Sequence, residues 1–203
     1  MAKIKKYKIA RRLGAGVYEK TQSQKFMLSE QKRSKSRSSR PKRPTDYGLA
    51  LIQKQRVRFA YGVSEKQFRN YVDKALAAAK TGSAPSDTLF KTIESRLDNV
   101  VFRSGAAQSR AFARQLVSHG HFTVNGRKLD VPSYLVKKGD VITVREGSKS
   151  KTVFSDLSDK LANAKSPSWL EVKADAQTIT VSGEPKNPEP FFNFQAVIEF
   201  YSR

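Results

Sequence analysis

The sequence predicts an α+β fold: a basic arm, a run of amphipathic helices, then a helix–hairpin module followed by further short strands. Charge is the first observation behind this. The 203 residues hold 39 Lys and Arg against 18 Asp and Glu, and net charge is +13 over residues 1–44, +9 over 45–150 and −1 over 151–203. The second is the recurrence of apolar residues at spacings of three and four between capping residues over positions 64–103, a helical period. The third is "HFTVNGRKL", where Asn-Gly separates two short apolar runs, the strongest short-range hairpin signal.

Each element follows in order. Residues 1–44 read as an extended arm, because "SEQKRSKSRSSRPKRP" has no apolar period and contains two prolines; it is expected to order on a polyanion. Thr45 or Asp46 can cap a helix through "TDYGLALIQKQRVRFAYG" that Gly62 ends. In "VSEKQFRNYVDKALAAAKTG", Ser64 and Gln67 form a capping box and Val63 and Phe68 a hydrophobic staple. Phe68, Tyr71, Val72, Ala75, Leu76 and Ala79 share one arc of that helix. Ser86 opens a single helix through "DTLFKTIESRLDNVVFRSG", with Leu89, Phe90, Ile93, Leu97, Val100 and Val101 inward and Asp98 toward solvent. Ser109 caps a helix to Ser118, stopped by Gly120, with Phe112, Ala113, Leu116 and Val117 inward. The Asn125-Gly126 hairpin and the strand "VITVR" follow. Beyond residue 150, "SDLSDKLANA" predicts a short helix and "WLEV", "TITV" and "AVIEFY" predict strands, with Pro185, Pro188 and Pro190 marking a loop.

Composition narrows function. Hydrophobic residues make up 38%, enough for a core. The positive field favours nucleic acid first and an anionic membrane surface second. The absence of cysteine removes disulfides, thiol catalysis and Cys-based zinc sites, and fits a reducing compartment. No apolar run approaches the roughly 20 residues that span a bilayer. The start "MAKIKKYKIARRLGAG" lacks an apolar stretch, so no secretory signal is expected; a transit peptide is the alternative. No nucleophile triad, paired-acid cleft or Gly-rich phosphate loop is present, and no cofactor or small-molecule substrate is expected.

The candidate binding residues are cations. Arg110 and Arg114 lie one turn apart on the polar side of their helix, Arg96 and Arg103 edge the preceding one, and Arg127, Lys128, Lys137 and Lys138 occupy turns. Convergent charge from two helices and two turns suits phosphate positioning. His119 and His121 have no nearby carboxylate or cysteine, so they read as surface donors rather than metal ligands. Tyr47 and Tyr61 are candidates for stacking on bases, whereas Tyr71 belongs to a core stripe. "SRLD" is reminiscent of pseudouridine synthases, but a helix-surface acid is a sufficient account of Asp98.

These residues together carry a resemblance. "DYGLALIQKQRVRFAYGVSEKQFRNY", "ESRLDNVVFRSG", "ARQLVSHGHFTVNGRKLDVPSYLVKKGD" and the terminal "VIEFYSR" resemble the bacterial-type small-subunit ribosomal protein S-four (uS-four) family. Residues 109–140 are similar to its αL RNA-binding motif. The resemblance implies a primary binder that nucleates the 5′ domain of small-subunit rRNA. It also implies a position among neighbouring small-subunit proteins where mRNA enters, support of translation accuracy, and repression of the protein's own operon. Carried over, the RNA contacts would be Arg96, Ser109, Arg110, Arg114, His119, His121 and Asn125 in the αL motif. The helical block would add Tyr47, Lys54, Arg58, Lys66, Gln67, Arg69 and Asn70. The chain departs from many relatives in lacking a four-cysteine zinc knuckle, and "SKSRSSRPKRP" replaces the usual Pro- and Gly-rich arm.

The expected organisation is therefore a basic extended arm (1–44), a helical domain (45–93) to which 188–203 return, and an inserted αL module with its extension (94–187). Arg40, Lys42 and Arg43 of the arm join Arg103, Tyr61, Arg127, Lys128 and Lys137 as expected rRNA contacts. The expected function is structural, cytoplasmic and within the ribosome, with a plastid copy as the alternative; no catalysis, metal or membrane is expected. An αL-bearing pseudouridine synthase or tyrosyl-tRNA synthetase would need a large catalytic domain, for which residues 151–203 are too short.

Overall fold

The computed structural model describes residues 5–35, 44–80, 82–186 and 189–202; Arg40, Lys42, Arg43 and Pro188 lie outside the described residues. Its helices are α1 (Lys6–Leu13), α2 (Gln24–Lys35), α3 (Asp46–Ala60), α4 (Glu65–Ala79), α5 (Pro85–Glu94), α6 (Leu97–Arg103) and α7 (Arg110–Ser118), then α8 (Glu146–Lys149), α9 (Leu157–Asn163) and α10 (Phe194–Tyr201). The strands are β1 (Phe122–Val124), β2 (Arg127–Leu129), β3 (Val141–Val144), β4 (Leu170–Lys173) and β5 (Thr178–Val181). They belong to two compact units, Met1–Leu89 with Pro188–Arg203, and Phe90–Asn187. The fold is α+β.

The first unit is helical. Thr45 caps α3 by accepting from Gly48 N, and Ser64 caps α4 by accepting from Gln67 N, each satisfying a donor that helix geometry leaves orphaned. Val63 and Phe68 are both buried, as a staple requires. Two sequence expectations change here. Residues 5–35 are not an extended arm: α1, two 3₁₀ turns and α2 bury Ala10, Leu13, Val17, Tyr18 and Phe26, and α1 packs on α3. Ala10 and Leu13 lie a turn apart on one face of α1, a short stripe that is buried because α3 supplies its partner surface. Likewise "AVIEFY" is helix, not strand. Asn193 caps α10 by accepting from Ala196 N, and Phe194, Val197 and Ile198 are buried where α10 packs on α3 and α4. Packing overrides the β preference of Val and Ile.

The second unit holds an antiparallel sheet of order β2-β1-β3-β5-β4. Its inward residues Phe122, Val124, Ile142, Val144, Ile179 and Val181 share a core with Leu97, Val100, Val101, Leu116, Val117, Phe154 and Leu157. Asn125 and Gly126 both have positive φ (51° and 78°), the two-residue turn that joins β1 to β2 with the right twist. The single helix expected over 86–103 is two. Arg96 is extended, and Leu97 N donates to Tyr134 O while Val136 N donates to Ser95 O. A distant segment has captured the backbone groups that a continuous helix would have used.

Candidate nucleic-acid interface

In the second unit, the junction of α5, α6 and α7 is built on two buried acids. Asp98 is 3% exposed, contrary to its expected place in solvent. It accepts from Arg96 Nε at 3.0 Å and Nη2 at 2.7 Å, and from Arg114 Nε at 2.8 Å. Glu94 accepts from Asn99 Nδ2 at 2.8 Å and from Arg103 Nε and Nη2 at 2.9 and 2.8 Å. Asn99 Oδ1 in turn accepts from Arg110 Nε at 3.0 Å, and the Arg110 guanidinium lies 4.4 Å from the Phe102 ring centroid. Three arginines thus meet two carboxylates while a fourth, Arg110, meets the Asn99 amide oxygen, and these bonds fix the guanidinium planes. Arg96 is 2% exposed and is a strut, not a surface contact. Arg103, Arg110 and Arg114 are half-buried; the side chains of Arg103 and Arg114 are 19% and 31% exposed, whereas Arg110 Nη2 is fully buried.

The turns carry the freely exposed cations. Asn125 Nδ2 donates to Asp140 Oδ1 at 2.9 Å, Val141 N donates to Asn125 Oδ1 at 2.9 Å, and Lys137 N donates to Asp140 Oδ2 at 2.8 Å. These bonds tie the hairpin turn to the Lys137–Asp140 turn, so Arg127, Lys128, Lys137 and Lys138, all exposed, are displayed from two linked turns. Asn125 therefore positions these turns with its carboxamide. Ser109 caps α7 by accepting from Phe112 N at 3.3 Å, and Phe112 itself is exposed rather than inward.

The two histidines differ. His119 is exposed. His121 is buried, 3.0 Å from Ser148 Oγ through Nδ1 and edge-on to Phe154, so it is a packing residue and not a surface donor. Burial, reinforced by the charges of Lys151, His119 and Arg145, pushes its pKa below the usual imidazole value. Among the described residues no cluster of three His, Cys, Asp or Glu could hold a metal ion, and no helix is long and apolar enough to cross a membrane.

In the first unit, Lys66, Arg69 and Asn70 are exposed on α4, with Arg69 4.0 Å from Asp73, and Gln67 is half-buried. Tyr47 is exposed and tilts against Phe200 at 5.5 Å. Tyr61 is only 2% exposed, packed against Phe192, and cannot stack on a base as expected. Lys54 is also buried: its Nζ donates to Glu65 Oε1 at 2.6 Å and lies 4.9 Å from the Phe200 ring centroid. Glu65 additionally pairs with Arg58 at 3.3 Å and accepts from Tyr201 Oη at 2.8 Å. Burial pushes the Glu65 carboxyl up, but bonds from Lys54 and Tyr201 and the charges of Lys54 and Arg58 outweigh it and hold the pKa low. Burial and the Glu65 bond raise Tyr201.

The organising residues Glu94, Asp98, Asn99 and Glu65 were missed as such in the sequence. A signal existed: Glu94 and Asp98 adjoin the apolar stripe of their segment, where unpaired acids are not tolerated.

Two family models match this chain. Residues 2–94 match the family model described as Ribosomal protein S4/S9 N-terminal domain, and residues 95–142 match the S4 domain. The chain is 44% identical over 201 residues to the small ribosomal subunit protein uS4 of Roseiflexus sp. (strain RS-1), covering 97% of this chain and 96% of the relative. It is 46% identical over 167 residues to uS4 of Desulfitobacterium hafniense (strain DSM 10664 / DCB-2), covering 81% and 78%. It is 41% identical over 203 residues to uS4 of Chlorobium phaeovibrioides (strain DSM 265 / 1930), covering 97% and 96%.

Proposed function

Because the chain belongs to the small ribosomal subunit protein uS4 family, we propose that it is a structural component of the small subunit that acts by binding rRNA. The observation that carries this is the bracing of Arg103, Arg110 and Arg114 by Glu94, Asn99 and Asp98 beside turns that display exposed lysines and Arg127. A guanidinium already held by a carboxylate loses little side-chain entropy when its remaining edge meets a phosphate. The turn lysines neutralise further phosphates and release counterions. Lys66, Arg69, Asn70 and Tyr47 supply a second contact face on the first unit.

At finer grain the chain nucleates the 5′ domain of small-subunit rRNA, sits beside neighbouring proteins where mRNA enters, supports translation accuracy and represses its own operon. Arg40, Lys42 and Arg43 add backbone contacts to the same RNA. The resemblance described above and the net charge of +21 support this reading. The test is chemical footprinting of protein-free small-subunit rRNA with this chain alone. Protection confined to the 5′ domain is expected; protection scattered over all domains would refute primary binding there.

A further inference from the structure

A groove of about 400 Å³ in the first unit lies between α1 and α3, lined by Ile9, Arg12 and Leu13 from one helix and Leu51, Ile52, Gln55, Arg58 and Phe59 from the other. Resting on the rRNA-binding reading above, we infer that this groove receives one unpaired RNA base together with its phosphate. Its size falls at the lower end of ligand clefts, about 300–1,000 Å³. The walls are apolar and aromatic, as a base plane needs, and the Arg58 guanidinium lies 4.3 Å from the Phe59 ring centroid. Splayed-out bases stack on such aromatic or guanidinium planes.

The polar lining selects the ligand. Among the described residues it consists of Arg12, Gln55 and Arg58, with no carboxylate in the lining itself, Glu65 pairing with Arg58 from outside it at 3.3 Å. Gln55 Oε1 accepts from Arg58 Nε at 3.0 Å, so the amide NH₂ is the group left to donate. A groove that offers donors and positive charge suits a ligand of acceptors and negative charge. A nucleotide matches both halves, with its base against the apolar wall and its phosphate toward Arg12, which is exposed. An apolar side chain of a neighbouring protein would match only the wall.

The test uses the full chain and protein-free small-subunit rRNA. Ile52→Trp fills the groove while keeping every cation, and Arg12→Ala keeps the groove while removing one cation. With Ile52→Trp, one rRNA base should lose its protection from modification at the Watson–Crick edge. Affinity should fall about 5- to 150-fold, the worth of one stacked base, with the salt slope of binding unchanged. Arg12→Ala should lower that slope by somewhat under one unit while the base stays protected. If Ile52→Trp melts early, Leu51→Trp repeats the experiment from the neighbouring wall. Unchanged base protection in a folded, groove-filled variant overturns the inference while the rRNA-binding reading stands. So does a variant that binds rRNA normally but loses a neighbouring protein from reconstituted subunits. A wild-type chain that protects no rRNA overturns both.

Discussion

Asp98 shows how one side chain serves both stability and binding. It is the counter-ion of Arg96, which is 2% exposed, and it also holds Arg114. Removing one partner of a buried pair leaves the other charge uncompensated, which costs about 3–5 kcal/mol. Asp98→Ala should therefore lower stability by about that much in urea denaturation, with rRNA affinity lost through unfolding. Lys137 and Lys138 behave oppositely: both are exposed, and the charge of Lys138 acts on the exposed Glu184 carboxylate rather than on a buried acid. Replacing both with alanine should reduce the salt slope of rRNA binding by about 1 to 2 while shifting stability by about 0.5 kcal/mol or less per site. A filter-binding salt titration with a melting curve on the same variant checks both. The contrast separates braced arginines from exposed lysines, a distinction that charge counting cannot make.

At the scale of elements, Glu65 joins α3, α4 and α10 through Lys54, Arg58 and Tyr201. Its folded pKa is below the ordinary carboxylate value, so the unfolded chain takes up the proton first as pH falls. The stabilisation is complete above the unfolded pKa and is lost as pH falls through the folded one. Glu65→Gln should accordingly melt below the wild type at about pH 7, and the two melting curves should converge as pH falls through the folded carboxyl's lowered pKa. The N-terminal helices make a second case. Leu13 is 4% exposed, and Leu13 O accepts from Arg56 Nε at 2.6 Å. Leu13→Ala should cost about 2–5 kcal/mol in chemical denaturation, the range for a core cavity. A loss under about 0.5 kcal/mol, typical of a surface site, would contradict the packing of α1 on α3.

At the scale of the whole molecule, the segment Phe90–Asn187 encloses its own apolar core, from Leu97 to Val181. A fragment of residues 90–187 should therefore unfold cooperatively and still bind rRNA, with a shallower salt slope than the full chain because the cations of the first unit are gone. Absence of a cooperative transition in that fragment, followed by calorimetry, would mean the core needs the rest of the chain. The basic excess lies in residues 1–150, and its near-absence beyond Lys151 leaves the C-terminal segments to structural duties, as α10 and the β4–β5 pair illustrate.

Local rules written in the sequence alone determined the caps at Thr45, Ser64 and Ser109, the Asn125-Gly126 turn and the apolar stripe of α4. Each depends on residues within about four positions of one another, and the α+β class and the basic character follow from them. Tertiary structure decided whatever depends on a distant partner. It broke the 86–103 helix at Arg96 because Tyr134 and Val136 took its backbone bonds, and it folded residues 194–201 as helix because α3 and α4 bury them. It also buried the Arg96–Asp98 pair, whose charges are local to each other, by bringing in the 132–136 segment, where Pro132 O accepts from Asp98 N at 3.1 Å. Periodicity places a charge on a face, but only the chain returning from far away determines whether that face meets water or a counter-ion.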